Sequence, residues 1–335
     1  MGLATVVSGA AIGGCGGVGP AAVDSAASQA TTSTPVPEPV RQSTTPTTAA
    51  SSVTTAAPTA TTLARLPATT STGSVGTVAP ATLVLSTADG RLVVTVGGRT
   101  TSAALDGARA PRIALTPDGR SAFLELWDPQ NATSLQCWDL TGQPQPAGEA
   151  FARNARFPAV SPDGRRLAYS KGQRFSWVLV VRDIATAAER TWKWPDGHEP
   201  QQLSWAPDGS RLAIEDSFGG DSGTVIFDTA RPEGPVADQP SIGGPYHRAT
   251  FRGRQGTLVA SQIAPGGSSD AVVEVDATTG AVRRTLFTTS FPINGIDSDV
   301  SGDHILVVGQ NEALYQWSSG GELRLHSRGV LDADW

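Results

Sequence analysis

The sequence predicts an all-β fold, a β-propeller closed by pairing of its amino- and carboxyl-terminal strands and preceded by a disordered tether. Three observations support this prediction. A turn motif recurs every 45 residues, an apolar strand ending in Asp follows each copy, and the two ends of the repeat region are complementary parts of one further repeat. A period of about 40–50 residues is typical of four-stranded propeller blades. We expect six blades, with seven as the alternative.

Composition separates the tether from the folded region. All 8 Trp, 3 Tyr and 9 Phe of the 335 residues lie at or beyond Phe123. Residues 15–80 are rich in Ala, Ser, Thr and Pro, so they cannot bury enough apolar surface to offset the entropy of ordering the backbone, about 1–2 kcal/mol per residue. We therefore predict a disordered, semi-extended linker over residues 15–80 and a folded propeller over residues 81–335.

A cysteine near the amino terminus is a candidate lipidation site. Residues 2–14 are small or apolar and uncharged, and they lead into Ile12-Gly13-Gly14-Cys15. This segment resembles the end of a bacterial lipoprotein signal peptide, which has an aliphatic residue three positions before the lipidated Cys, although here no Lys or Arg precedes the apolar stretch. The resemblance implies a signal segment over residues 1–14 and a lipid anchor on Cys15. The alternative is a disordered tail with an incidental Cys.

The recurring motif is predicted to be a hairpin turn between two short strands. Its clear copies lie at Pro117, Asp118 and Gly119, at Pro162, Asp163 and Gly164, and at Pro207, Asp208 and Gly209. Pro fixes φ at the first corner of a turn, Asp accepts hydrogen bonds from nearby backbone N–H groups, and Gly accepts a positive φ at the exit.

A strand pattern accompanies each turn. The strands that follow the turns end at Asp139, Asp183, Asp228 and Asp276, at spacings of 44, 45 and 48 residues. Degenerate turns are expected near Gly253 and Gly302. The apolar residues that lead into the five turns are Leu115, Val160, Trp205, Phe251 and Val300.

The two ends of the repeat region complement each other. Residues 81–86 and 91–96 are two strands without an innermost strand before them, whereas residues 330–335 are an innermost strand without the hairpin that should follow. Pairing the two sets would complete a sixth blade and remove the open strand edges that invite aggregation.

The Pro-Asp-Gly copies and their flanking strands are similar to the repeat of the TolB/WD40-like propeller family, which reads Ser-Pro-Asp-Gly followed by Arg or Lys and, two positions on, an aliphatic residue. The resemblance covers about 250 residues, with three repeats that match well and two that match loosely. It implies a propeller whose role is protein–protein contact in the cell envelope.

The sequence shows no assembled catalytic or metal-binding set. Gly220-Asp221-Ser222-Gly223 echoes the nucleophile loop of trypsin-like proteases, but it falls at a routine turn and consists of turn-forming residues. The four His residues have no metal-ligand spacing, and two Cys residues are too few for a disulfide framework or a thiolate zinc site. We expect no catalytic residues, no metal and no cofactor.

Several residues are candidates to line the central channel. Acidic residues recur along two innermost strands, and a His stands near a third; these are Asp297, Asp299, Asp332, Asp334 and His247. An acidic channel wall is one interpretation, and side chains that face solvent or cap turns are the other.

Two tryptophans, Trp192 and Trp194, lie on the same face of one strand. An exposed pair would form a platform for a sugar or peptide, whereas a buried pair would pack between two blades.

These observations predict a non-catalytic, membrane-tethered binding module of the bacterial cell envelope. We expect a monomer on the outer face of the cytoplasmic membrane, held by its lipid anchor, that presents its channel or loop face to a protein, peptide or glycan. The formal net charge of -6 and the absence of an apolar run long enough to span a bilayer argue against nucleic acid as a partner and against a transmembrane helix. The alternative is an extracytoplasmic propeller enzyme, a hydrolase or lyase that uses channel-lining Asp or His.

Overall fold

The computed structural model describes residues 82–335 except 219–220, 237–240, 243, 254–255, 264–269 and 300. Cys15, the predicted signal segment and the predicted linker lie outside the described residues. In the described part of the chain, no helix is long and apolar enough to cross a membrane.

The described strands form six sheets, which are antiparallel except for one short parallel pair in the third, and we number them as blades in chain order. Blade 1 contains β1 (Thr82–Thr87), β2 (Arg91–Val96) and β3 (Arg99–Ala104). Blade 2 contains β4 (Arg109–Leu115), β5 (Ser121–Trp127), β6 (Thr133–Asp139), β7 (Gln145–Pro146) and β8 (Ala152–Arg153). Blade 3 contains β9 (Ala155–Val160), β10 (Arg166–Gln173), β11 (Ser176–Asp183) and β12 (Glu189–Lys193).

The second half of the ring repeats this plan. Blade 4 contains β13 (His198–Trp205), β14 (Arg211–Phe218) and β15 (Asp221–Asp228); β16 (Gly234–Pro235) then adds to the outer edge of blade 3, and β17 (Ser241–Ile242) completes blade 4. Blade 5 contains β18 (Tyr246–Arg252), β19 (Thr257–Ile263), β20 (Asp270–Asp276) and β21 (Val282–Thr288). Blade 6 contains β22 (Ile293–Ser298), β23 (His304–Gly309), β24 (Ala313–Ser318) and β25 (Arg324–Arg328), and the last strand is β26 (Val330–Asp334).

The ring closes through the two ends of the repeat region. Strand β26 pairs antiparallel with β1, with Val84 opposite Asp334 and Leu85 opposite Ala333, so blade 1 has the order β26-β1-β2-β3. The innermost strands are therefore β26, β4, β9, β13, β18 and β22. The predicted six blades and the predicted closure are both confirmed.

The core consists of separate apolar clusters between neighbouring blades. The cluster between blades 3 and 4 contains Trp192 and Trp194, each only 2% exposed. The Trp192 ring meets Phe227 of blade 4 edge-on at 5.2 Å, and the Trp194 indole N–H donates to Asp216 Oδ1 at 2.8 Å. The pair is therefore packing between blades and offers no exposed platform for a sugar or peptide.

The three Pro-Asp-Gly segments form tight turns between the innermost and second strands of blades 2, 3 and 4. Gly119, Gly164 and Gly209 have φ values of 68°, 69° and 68°. In the blade 3 turn, Gly164 N–H donates to Ser161 O at 2.8 Å, and Asp163 Oδ1 accepts hydrogen bonds from the Ser161 hydroxyl and Arg165 N–H. The local sequence thus determines the turn conformation.

The Gly164→Val substitution should lower the free energy of unfolding by about 1–3 kcal/mol, because a β-branched residue is strained at this positive φ. A Cβ at Gly164 would meet only Pro117 Cδ at an ordinary 3.6 Å, so steric clash contributes little. Gly142 is the matched control, since its φ lies outside the left-handed region and a Cβ there would meet nothing within 4 Å. Urea unfolding that shows an equal loss for Gly164→Val and Gly142→Val would contradict the turn assignment.

Candidate functional site: the central channel

The six innermost strands enclose a cavity of about 500 Å³. Each of the six contributes lining residues, and the turns of blades 2 to 5 contribute its rim through Pro117, Pro162, Pro207 and Gly253. The predicted turn residues therefore lie around one end of the channel, which we call the mouth. The repeated turn motif of the sequence thus forms much of the rim of the mouth.

Long side chains cross the channel below the mouth and form the cavity floor. Gln202 of blade 4 donates from Nε2 to Ile296 O of blade 6 at 2.9 Å, and Arg112 of blade 2 donates from Nη2 to Asn294 O of blade 6 at 3.3 Å. Phe157 of blade 3 also lines the cavity. Gln202 has an unusual φ of 23°, which turns its side chain out of the regular strand pattern.

Asp332 and Asp334 lie in the cavity wall on alternate residues of β26. Asp332 Oδ2 accepts Ile113 N–H, and Asp334 Oδ2 accepts Leu115 N–H, both at 2.7 Å. These donors belong to the unpaired edge of β4, the innermost strand of blade 2. The two carboxylates thus satisfy edge N–H groups and join the closing strand to blade 2.

Asp297, on β22, faces Asp334 across the junction of blades 6 and 1. Burial and then the neighbouring Asp334 carboxyl raise the pKa of Asp297 well above its ordinary value. Burial also raises the pKa of Asp334, although the hydrogen bond from Leu115 N–H stabilises the ionised carboxylate and acts in the opposite direction. Burial raises the pKa of Asp332 to about 7, although Arg112 Nη1 lies 3.8 Å from its Oδ1. The wall on this side therefore holds protons under mildly acidic conditions.

Asp299 lines the cavity, but its side chain is committed to the degenerate turn of blade 6. Its Oδ2 accepts the Ser301 hydroxyl at 2.6 Å and its Oδ1 accepts His304 N–H at 3.1 Å. Ser161 plays the corresponding role in blade 3, where its hydroxyl accepts Arg166 N–H at 2.9 Å. Asp299 combines a turn-capping role with a position at the mouth.

His247 is not among the residues that line this cavity, and its side chain is held by contacts to blade 4. Its Nδ1 lies 2.5 Å from the Ser222 hydroxyl and 3.7 Å from Glu215 Oε1. The reason is the local backbone: β18 has an irregular register between His247 and Thr250, with Arg248 at a φ of 50°, so the direction of successive side chains changes there.

Sequence reasoning did not anticipate that Ser222 and His247 meet. The serine of the Gly-Asp-Ser-Gly segment and a possible base are therefore within hydrogen-bond distance, with a buried carboxylate beside them. Ser222 and Glu215 both approach Nδ1 of the ring, however. A serine relay needs one ring nitrogen to accept the hydroxyl proton while the other is held by the carboxylate, and this arrangement does not provide it.

Glu215 instead has a structural role. Burial alone would raise its pKa, but the His247 ring, the Arg248 guanidinium and Arg248 N–H together hold the pKa of Glu215 below its ordinary value. Arg248 Nη1 donates to Glu215 Oε2 at 2.9 Å. In the described residues, no group of three or more His, Cys, Asp or Glu side chains has an arrangement that could hold a metal ion.

Comparison with known proteins identifies the fold class. The sequence matches no protein-family model and no curated protein. Among solved structures, TolB from Acinetobacter baumannii superimposes with a TM-score of 0.58 at 18% identity, over 75% of this chain and 65% of that chain. A TolB-type protein from Agrobacterium tumefaciens gives a TM-score of 0.50 at 14% identity, over 66% of this chain and 79% of that chain.

The chain therefore has a TolB-like, six-bladed β-propeller fold. It spans just under two thirds of the length of the Acinetobacter protein, and at these identities the likeness establishes the fold alone.

Proposed function

We propose that this chain is a non-catalytic, membrane-tethered binding module of the bacterial cell envelope, and that it receives a protein, peptide or glycan at the channel mouth. The observation that carries the proposal is a cavity in the described part of the chain to which all six blades contribute, framed by the repeated turns. Concave sites formed where several elements converge are the usual places for ligands.

The cavity wall suggests the chemistry of the bound group. Blades 6 and 1 contribute acidic residues, whereas blades 2 to 4 contribute apolar and Pro side chains such as Leu115, Pro158 and Leu203. A partner segment with an apolar body and a hydrogen-bond donor or positive charge at its tip would complement both sides. We therefore propose a short loop or chain end of another envelope protein as the bound group, of a size to enter a cavity of about 500 Å³.

The contacts of the acidic residues favour binding over catalysis. Asp332 and Asp334 already accept backbone N–H groups of blade 2, and Asp299 caps its own turn. Hydrolases need carboxylates that are available to the substrate as acid, base or nucleophile. Carboxylates that hold the ring closed are poorly suited to act as an acid, base or nucleophile.

The mouth can be tested by site-specific photo-crosslinking in cells. Benzoylphenylalanine in place of Pro162, an exposed cavity-rim residue, should give discrete crosslinked products with an envelope component. The same substitution at Val282, which is 45% exposed on the outermost strand of blade 5, should give none. Crosslinking from Val282 but not from Pro162 would mean that the partner binds elsewhere.

The membrane tether makes a separate prediction, which concerns Cys15. If this Cys carries two or three acyl chains, the full chain made in a bacterial host should partition into detergent, because each buried CH₂ contributes about 0.8 kcal/mol of membrane affinity. The Cys15→Ser variant should partition into the aqueous phase. Equal partitioning of the two forms would refute lipidation and leave the proposed binding at the mouth untouched.

A further inference from the structure

The face opposite the mouth carries a set of exposed apolar tips. In every blade the second strand runs from the mouth to this face. Phe175 lies in the hairpin after β10 and is 73% exposed, Phe218 ends β14 and is 53% exposed, and Ile263 ends β19 and is 49% exposed. These tips belong to the consecutive blades 3, 4 and 5. The corresponding strands of blades 6 and 1 end in small or polar residues, at Gly309 and Thr87.

The two phenylalanines are neighbours on this face. Gly197 N–H donates to Phe175 O at 3.0 Å, and a Cβ placed on Gly197 would lie 3.1 Å from the Phe218 ring. Phe218 also stacks on His198 with a centroid distance of 4.5 Å. The segment around Gly197 therefore holds both aromatic tips side by side.

Basic residues surround the Phe175 tip. The chain contains only two lysines, Lys171 and Lys193, and both are exposed on blade 3 near this face, together with exposed Arg174 and Arg153. Lys171 and Arg174 form no ion pair with a described residue, whereas Lys193 pairs with Asp196 at 3.2 Å. The local positive charge contrasts with the formal net charge of -6 for the whole chain.

Two nearby acidic side chains, those of Glu199 and Asp216, are engaged within the protein. Glu199 Oε1 lies 2.6 Å from Arg156 Nη1, and Asp216 Oδ2 lies 2.8 Å from His198 Nδ1. Asp221, which begins the strand after the Phe218 tip, is the acidic residue of the adjacent hairpin.

We propose that this face docks on an anionic phospholipid bilayer through the tips of blades 3 and 4. Aromatic side chains insert at the level of the lipid headgroups, and Lys and Arg side chains are attracted to anionic leaflets. Single aromatic tips flanked by flexible basic side chains can enter a fluid interface without a complementary groove. Docking in this way leaves the channel mouth facing away from the membrane, open to a partner. The contact does not depend on a lipid anchor at Cys15.

The test uses the full chain carrying Cys15→Ser, so that only the protein surface can bind. Flotation with vesicles of phosphatidylcholine containing about one third phosphatidylglycerol should show binding, with little binding to pure phosphatidylcholine. Binding should weaken as NaCl rises from about 0.1 to about 0.5 M. Each basic residue near an anionic surface contributes about fivefold, so the K171E/R174E variant should bind at least about twentyfold more weakly.

The F175S/F218S variant should also lose most of its binding, and its melting temperature should change little because both rings are largely exposed. A matched control lies on the mouth face, in the hairpin between β2 and β3: V96S/R99E removes an exposed apolar and an exposed basic residue there. This control should bind within twofold of the parent. Equal binding to both kinds of vesicle, no binding to either, or an equal loss in the control would overturn the proposal.

Discussion

Deletion of residues 330–335 should destroy cooperative folding of the propeller. The deletion removes β26, the innermost strand of blade 1, whose Val330 is fully buried and whose backbone pairs with β1. It also removes the acceptors of Ile113 N–H and Leu115 N–H. Each buried N–H left without a partner costs about 1–3 kcal/mol, and burial of a Val side chain contributes about 1.5–3 kcal/mol.

The summed loss, on the order of 5 kcal/mol, is comparable to the total stability of many domains. Two open strand edges, of β1 and β4, would in addition promote association. We expect far-ultraviolet circular dichroism to show a broad or absent thermal transition, and gel filtration to show oligomers.

The informative control is a much larger deletion. Removal of residues 21–71 takes away a segment whose composition offers little apolar surface, so it should leave the melting temperature of the propeller unchanged. A truncated chain without residues 330–335 that stayed monomeric and melted within a degree or two of the parent would refute ring closure as a source of stability.

The architecture could be predicted because the repeat is encoded locally. Pro, Asp and Gly act within single turns, and their 45-residue spacing fixes the size of a blade without any long-range information. Closure followed from the same register, since Val330 to Trp335 lacked the hairpin that Ala81 to Val96 could supply.

Prediction was weakest where the repeat degenerates. The sequence pattern assigned Val300 to the last innermost-strand position of blade 6, and this residue lies outside the described residues. The backbone places Ser298 there instead, paired with Ile305 as Phe251 pairs with Leu258 in blade 5. The apolar character of Val300 suggested an alignment shifted by two residues, because the turn that follows lacks the Pro that marks the position elsewhere.

Trp335 shows a related limit. The predicted pairing of residues 330–335 with residues 81–96 implies a place for Trp335 between the first and last blades, and its ring does pack there, 6.2 Å from the ring of His304. It is nevertheless only half-buried and also lines the cavity. The position of a chain end against a channel depends on tertiary packing, which strand periodicity does not report.

The contacts that cross the ring had no sequence signal. Gln202 meets Ile296 across the channel, and Ser222 meets His247 across two blades. Both contacts depend on irregular backbone in the innermost strands, at Gln202 and Arg248, where non-glycine residues adopt positive φ. Such irregularities arise from packing of the closed ring, so a reading of separate strands cannot supply them.

Replacing Asp297 by Asn should stabilise the propeller at neutral and alkaline pH. The folded state raises the pKa of Asp297 and of Asp334, and that of Asp332 to about 7, whereas an unfolded Asp has a pKa near 3.9. A carboxyl whose pKa is raised by folding favours the folded state fully at a pH below its unfolded pKa. That contribution is lost as the pH rises through the folded pKa.

The parent chain should therefore lose stability from about pH 4 to beyond pH 7, by up to about 4 kcal/mol for Asp332 alone at roughly 1.4 kcal/mol per pKa unit. Asp297→Asn removes one charge of the facing pair and gives Asp334 an amide donor in its place. Its gain in the free energy of unfolding should be near zero at about pH 4 and largest at about pH 8, as measured by urea unfolding across this range.

Asp139→Asn is a control of opposite sign. Hydrogen bonds from Thr141 N–H and the Thr141 hydroxyl, both at 2.8 Å, hold the pKa of Asp139 below its ordinary value. Its replacement should destabilise the protein at neutral pH and matter least in acid.

If stability of the parent instead rose steadily between about pH 5 and pH 8, or if Asp297→Asn were destabilising at pH 8, the channel carboxyls would be ionised at no cost to the fold. The acidic wall would then be neutralised in part by Arg112, which lies 3.8 Å from Asp332, and it would attract a cationic partner only weakly.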